Sequence, residues 1–189
     1  MLVRFRLLFT ILMLCLLATP ALADKYSDAT GTFRNAGQSA HFFHDCYGYA
    51  VFPTIGKGGM GIGGARGTGC VYQHGAAVGI TTMTQVTVGF QFGGQAYSQI
   101  IFFEDKSTFD AFKSGHFTFG AQANAVAITA GANAQTTTGG TGAGASATPE
   151  HATTAGAYQQ GMAVFTVAKG GLMYEASIGG QRFSYKPSH

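Results

Sequence analysis

Gly56-Lys57-Gly58-Gly59-Met60-Gly61-Ile62-Gly63-Gly64-Ala65-Arg66-Gly67-Thr68-Gly69 is the densest glycine tract of the chain. Downstream of it the period becomes two: Val86, Val88, Phe90 and Phe92 alternate with Thr87, Gly89 and Gln91, the mark of a half-buried strand. A helix tolerates each glycine poorly, at about 1 kcal/mol relative to alanine. A glycine tract that leads into such an alternation therefore belongs to a β-rich protein, where glycine permits positive φ, close strand approach and bulges. Gly59, Gly61 and Gly64 also satisfy the dinucleotide spacing G-x-G-x-x-G. The context refuses it: no helix pattern follows, and the first acid downstream is Glu104, far beyond the ~20 residues at which a ribose-binding carboxylate belongs. A phosphate loop fails as well, because Lys57 is followed by Gly58 and position 51 is Val.

On the N-terminal side of the tract, Tyr49-Ala50-Val51-Phe52 reads as a short strand stopped by Pro53. Before it, Phe33, Ala36, Ala40, Phe43 and Tyr47 have the three-to-four spacing of an amphipathic helix over 33–47, with Thr30 or Thr32 at its start. Residues 24–32 read as a polar, frayed lead. On the C-terminal side, Cys70-Val71-Tyr72 and Ala77-Val78-Gly79-Ile80 flank a hairpin turn at His74-Gly75, and Gly93-Gly94 opens a strand ending in Ile100-Ile101-Phe102-Phe103. Asp105 caps a short helix with Phe109 and Phe112 on its inner face and Gly115 at its end. Strands resume at Phe117-Thr118-Phe119, around Ala125–Thr129, and over Met162–Val167 and Leu172–Tyr185. Residues 131–157, nearly all Ala, Gly, Thr and Ser, carry too little apolar bulk to offset ordering entropy and read as a long mobile loop. The expected fold class is α+β and mainly antiparallel β, a compact sheet or barrel-like body with an N-terminal helix and one short inserted helix.

Composition agrees. Charged residues make up 10% of 189 positions against a typical ~25%. Glycine supplies 29 positions, and sixteen Phe with eight Tyr provide aromatic mass without any Trp. That length fits one domain. The first 23 residues stand apart as a cleavable leader: Arg4 and Arg6, the apolar run Leu7–Leu17, then Ala21-Leu22-Ala23 as an A-x-A site. The apolar run falls short of the ~20 residues of a membrane span, although an uncleaved anchor is the rival reading. A lipoprotein would need a small residue before its cysteine, and Cys15 follows Leu14. The working domain is then 24–189, exported to the periplasm or cell envelope. Without Arg4 and Arg6, nine basic residues oppose eight acids, so the field of a nucleic-acid-binding domain is absent.

A weak internal repeat joins the two ends. Ala50-Val51-Phe52 leads to Lys57-Gly58-Gly59 as Ala163-Val164-Phe165 leads to Lys169-Gly170-Gly171, and Gly93–Ser98 is echoed by Gly179–Ser184. Two similar hairpin-like units in one sheet, or chance likeness in a glycine-rich chain, account for it. His41 and His44 lie three apart with Asp45 and Cys46 beside them, either two ligands of a metal site or solvated helix-surface histidines. Cys46 and Cys70 remain after cleavage in an oxidising compartment, either paired, for about 3 kcal/mol, or as two separate buried thiols. Neither G-x-S-x-G nor H-E-x-x-H occurs. Glu104 and Asp105, adjacent in a strand, point to opposite faces. No cofactor site and no catalytic constellation emerges.

Tyr49-Ala50-Val51-Phe52-Pro53 through Lys57-Gly58-Gly59 and Gly61-x-Gly63-Gly64, then Gly67-x-Gly69-x-Val71-Tyr72, Gly89-Phe90-Gln91-Phe92-Gly93-Gly94-Gln95, Phe102-Phe103 and Lys169-Gly170-Gly171-Leu172 form an ordered set that resembles the SYLF domain family over about 30–186. The resemblance implies a β-rich fold with an N-terminal helix and non-catalytic binding of anionic phospholipid. The actin activity of some relatives does not carry over to an exported chain. Physical reading adds Lys57 and Lys169, in equivalent places beside glycines whose N–H groups can approach a phosphate, with Arg66 and Arg182 adding charge. The bland reading is solvated turn-end lysines. The expected function is binding of an anionic membrane surface. The alternatives are a small outer-membrane β-barrel and, below it, a metal-dependent periplasmic enzyme using His41 and His44.

Overall fold

Gly48–Gln73 forms one uninterrupted run of β-structure, β1, 26 residues long. Drawn out straight it would span about 86 Å at ~3.3 Å per residue, against a radius of gyration of about 16 Å for a domain of this size. It therefore reverses on itself. In the computed structural model, which describes residues 21–89, 94–120, 125–128, 157–169 and 178–188, the first part of β1 pairs antiparallel with β3 (Gly94–Phe103), from Gly48↔Phe103 to Gly58↔Gly94. The second part pairs antiparallel with β2 (Ala76–Gly89), from Gly61↔Gly89 to Gln73↔Ala76. The two halves lie side by side: Tyr49 stacks on Tyr72 with ring centroids 4.8 Å apart. The reversal falls at Gly59–Gly63, where a Cβ on Gly59 would run into the Gly63 backbone. The glycine tract is thus a strand pair and its turn. Gly69 has no room for a side chain, since a Cβ there would meet the Phe52 ring at 2.7 Å and the Val51 carbonyl at 2.8 Å.

The sheet continues with β4 (Val126–Ile128), β5 (Met162–Lys169) and β6 (Arg182–Pro187) in the order β4-β5-β3-β1-β2-β6. β4 and β5 are parallel and every other pairing is antiparallel. Among the described residues the sheet is open, with β4 and β6 at its edges. The α+β, mainly antiparallel expectation holds; the closed form that a transmembrane barrel needs is not seen among these residues.

Alternation along the strands gives the sheet two apolar faces. On one, Ala50, Phe52, Ile55, Val71, Met83, Ile101, Phe103 and Phe183 pack with Phe109 and Phe112 of α3 (Lys106–Lys113). Asp105 accepts the Thr108 N–H at 2.8 Å and Gly115 ends the turn at φ +79°, as the sequence predicts. On the other, Tyr49, Val51, Cys70, Ile100, Phe102 and Phe165 are covered by Tyr26, Ala29 and Phe33 of α1 (Ala21–Asn35) and Phe42 of α2 (Phe42–Asp45).

Several expectations are corrected. The N-terminal helix is not 33–47, nor is 24–32 frayed: α1 runs over 21–35 and a turn separates it from α2. Thr30 and Thr32 do not cap it. Their hydroxyls donate to the Tyr26 and Asp28 carbonyls one turn back. The helix ends at Asn35, and buried Ser39 donates to the Phe33 carbonyl at 2.6 Å, satisfying one of its last acceptors. Pro53 does not end its strand: it sits in the irregularity between Phe52 and Ile55, where the register with β3 shifts and its missing N–H breaks no ladder bond. Val86 points outward, and the buried side of β2 is Thr81, Met83 and Gln85. Phe117-Thr118-Phe119 forms a single bridge, Thr118↔Arg182, and the strand expected over Leu172–Tyr185 is interrupted by a turn at Gly179-Gly180 before β6 starts at Arg182, its part 172–177 lying outside the described residues. The His74-Gly75 turn is as expected, with φ +49° and +83°. The loop reading of 131–157 lies outside the described residues up to 156.

Candidate functional site

Three strands and a bridge align a polar row across the outer face of the β1–β2–β6 end. Arg66 pairs with Thr84, Thr84 with Arg182, and Arg182 with Thr118. One step along, Thr68 pairs with Thr82 and Thr82 with Ser184. Directly opposed residues share a face, so guanidinium groups and hydroxyls project together. Lys186, Gly115, His116 and the edges of Phe117 and Phe183 complete an open groove of about 570 Å³. The local reason is strand parity: Ala65, Met83 and Phe183 turn into the core, which forces Arg66, Thr84 and Arg182 out. The residues lining this groove include three fixed cations and no carboxylate.

Of the four cations singled out from sequence, the fold brings Arg66 and Arg182 together here. Lys57 and Lys169 lie toward the β1 reversal, on either side of β3: Lys57 pairs with Gln95, and Lys169 with Ala96. Neighbouring positions on β3 point to opposite faces, so these two lysines do as well. The Lys169 ammonium donates to Thr54 Oγ1 at 2.9 Å. The repeated Ala-Val-Phe units do flank one strand, but one residue out of step: Ala50 and Val164 both oppose Ile101. Lys186 and the hydroxyl floor were not singled out from sequence. Their signal was present, since Ser184 and Lys186 continue the phase of Arg182, and Thr82 that of Thr84. Which strand lies beside which is decided only by the fold.

The other candidates sit elsewhere. Cys46 and Cys70 are free thiols against the apolar face under α1. Burial pushes Cys46 up to about 11 and raises Cys70, so both are protonated near neutrality and poor nucleophiles. His41 is exposed and packs its ring 4.1 Å from that of Phe42, and His44 is exposed. Among the described residues no three His, Cys, Asp or Glu side chains are grouped to hold a metal ion, and no helix is long and apolar enough to cross a membrane. Arg34, the fixed cation of the expected 33–47 helix, lies 4.5 Å over the Phe43 ring.

A family model described as Ysc84, Las17-binding protein actin regulator, matches residues 84–188, from the central Thr84 of the basic row to the end of β6. The chain belongs to this family, the SYLF family. Beta cell expansion factor A of Aeromonas veronii is 30% identical over 154 residues, which cover 75% of this chain and 46% of that protein. This member thus spans about half the length of that relative.

Proposed function

We propose that this SYLF protein is a non-catalytic component of the cell envelope that binds the anionic phospholipid surface of a membrane. The observation that carries the reading is the groove: Arg66, Arg182 and Lys186 over a floor of Thr and Ser hydroxyls, with no carboxylate among its lining residues. Guanidinium groups bind phosphate in a fork and hydroxyls add directional donors. Family membership supports a lipid-binding rather than a catalytic role. The family description names an actin regulator; for this chain actin is left aside, because the expected leader 1–23 carries it out of the cytoplasm. Lys57 and Lys169, at the β1 reversal, serve as secondary contacts in this proposal.

Co-sedimentation of the protein with phosphatidylglycerol-containing and purely zwitterionic vesicles, at 0.1 M and 1 M salt, tests the reading. Binding is expected on the anionic vesicles and should weaken as the Debye length shrinks from ~10 Å to ~3 Å. Each surface cation contributes about 1 kcal/mol, so Arg66→Gln with Arg182→Gln should lower affinity roughly 30-fold. Equal binding of the double variant and the parent would remove the groove from the mechanism.

A further inference from the structure

Beyond the basic row the same face turns apolar. Ile62 is 71% exposed and Val86 77% exposed, although both sit in strands whose alternate residues are buried. Val86 lies opposite Gly64, which has no side chain to cover it, and diagonal to both Ile62 and Arg66 in the ladder. On β2 the outward side changes here from Thr82 and Thr84 to Val86, while Thr81, Met83 and Gln85 face inward, and an exposed apolar pair beside a basic row marks a contact surface.

We infer that the protein meets the membrane by this end of the sheet, with Ile62 and Val86 entering the bilayer interface while Arg66 and Arg182 behind them take lipid phosphates. The inference rests on the reading that the groove binds an anionic membrane, and it names the surface that docks. The spacing fits. Val86 stands two residues, about 7 Å along the strand, beyond the Arg66–Thr84–Arg182 row. An apolar face at a bilayer interface sinks ~5–10 Å into the headgroup–acyl boundary. Side chains at position 86 then reach the acyl boundary as the guanidinium groups reach the phosphate layer. A protein partner of matching shape would need carboxylates opposite the arginines and would leave vesicles unbound.

The chain has no Trp, so one introduced residue reports its own surroundings. Val86→Trp and, as control, Ser107→Trp on the exposed start of α3 are mixed with phosphatidylglycerol-containing vesicles carrying brominated acyl chains, and pelleting is measured in parallel. The expected result is pelleting of both variants, with blue-shifted, quenched emission at position 86 and neither effect at 107. Pelleting without quenching at 86, or quenching at 107, would overturn the docking surface while leaving membrane binding standing. Failure of the parent to pellet would overturn both. In a second arm Ile62→Ser with Val86→Ser, which removes no buried side chain, is compared at 1 M salt, where charge is screened. At least a tenfold loss of vesicle affinity is expected, and parental affinity would equally overturn the insertion.

Discussion

Gln99 and Gln181 face one another inside the aromatic core, each side-chain amide donating to the other's carbonyl at 2.9 and 3.1 Å, with Gln181 Nε2 also 3.2 Å from the Tyr97 hydroxyl. Every amide left without its partner there carries a desolvation cost of about 1–3 kcal/mol. Gln181→Leu alone should therefore lower unfolding stability by that amount in urea titrations, and adding Gln99→Leu and Tyr97→Phe should recover most of it. A single variant as stable as the parent would show that the cluster is hydrated. Burial also pushes Tyr97 up to about 12 and Cys46 up to about 11. Both groups fold in their protonated form. Their contribution is complete below the ordinary thiol and phenol ranges near 9 and 10 and is lost as pH rises through about 11 and 12. Urea midpoints should fall from pH 9 upward, less steeply between 10 and 12 in Tyr97→Phe; a flat profile would contradict the burial. Gly69→Ala places its Cβ 2.8 Å from the Val51 carbonyl and should cost about 1–3 kcal/mol. Gly56→Ala, with nothing within 4 Å, should be neutral or stabilising in the same melts.

α1 shows how an element is misplaced from sequence. Its inward residues Tyr26, Ala29 and Phe33 have helical spacing, but Thr30, Gly31 and Thr32 between them are poor helix formers. The richer run from Phe33 to Tyr47 has the better pattern and the wrong structure. Packing onto the sheet supplies what propensity lacks, and the hydroxyls of Thr30 and Thr32 turn inward to the helix's own carbonyls. Phe33 is fully buried, so Phe33→Ala should cost about 3–5 kcal/mol in thermal or urea unfolding. A loss below 1 kcal/mol would mean that α1 does not cover the sheet in solution. By contrast α3 was legible, because an Asp cap, two Phe three apart and a terminal Gly are all local signals.

For the molecule as a whole, cleavage after Ala23 would remove only the first turn of α1 and keep all three of its inward side chains. Intact-mass measurement of exported protein should give a chain beginning at Asp24, whereas a mass that includes Arg4 and Arg6 would support the anchor. The β-rich class, the antiparallel strands, the capped helix and the family were all readable from sequence, because each depends on contacts within a few residues or on an ordered set of motifs. The site was half readable. Arg66 and Arg182 were read only as charge added to the glycine-flanked Lys57 and Lys169, and nothing in the chain joins residues 116 positions apart. Only the reversal of β1 and the placing of β6 beside β2 set them in one row, and only a one-residue offset between β1 and β5 about β3 put Lys57 and Lys169 on opposite faces. The direction of Val86 was likewise decided by tertiary structure: period two establishes that a strand has two faces, and which of them is buried depends on what packs against it.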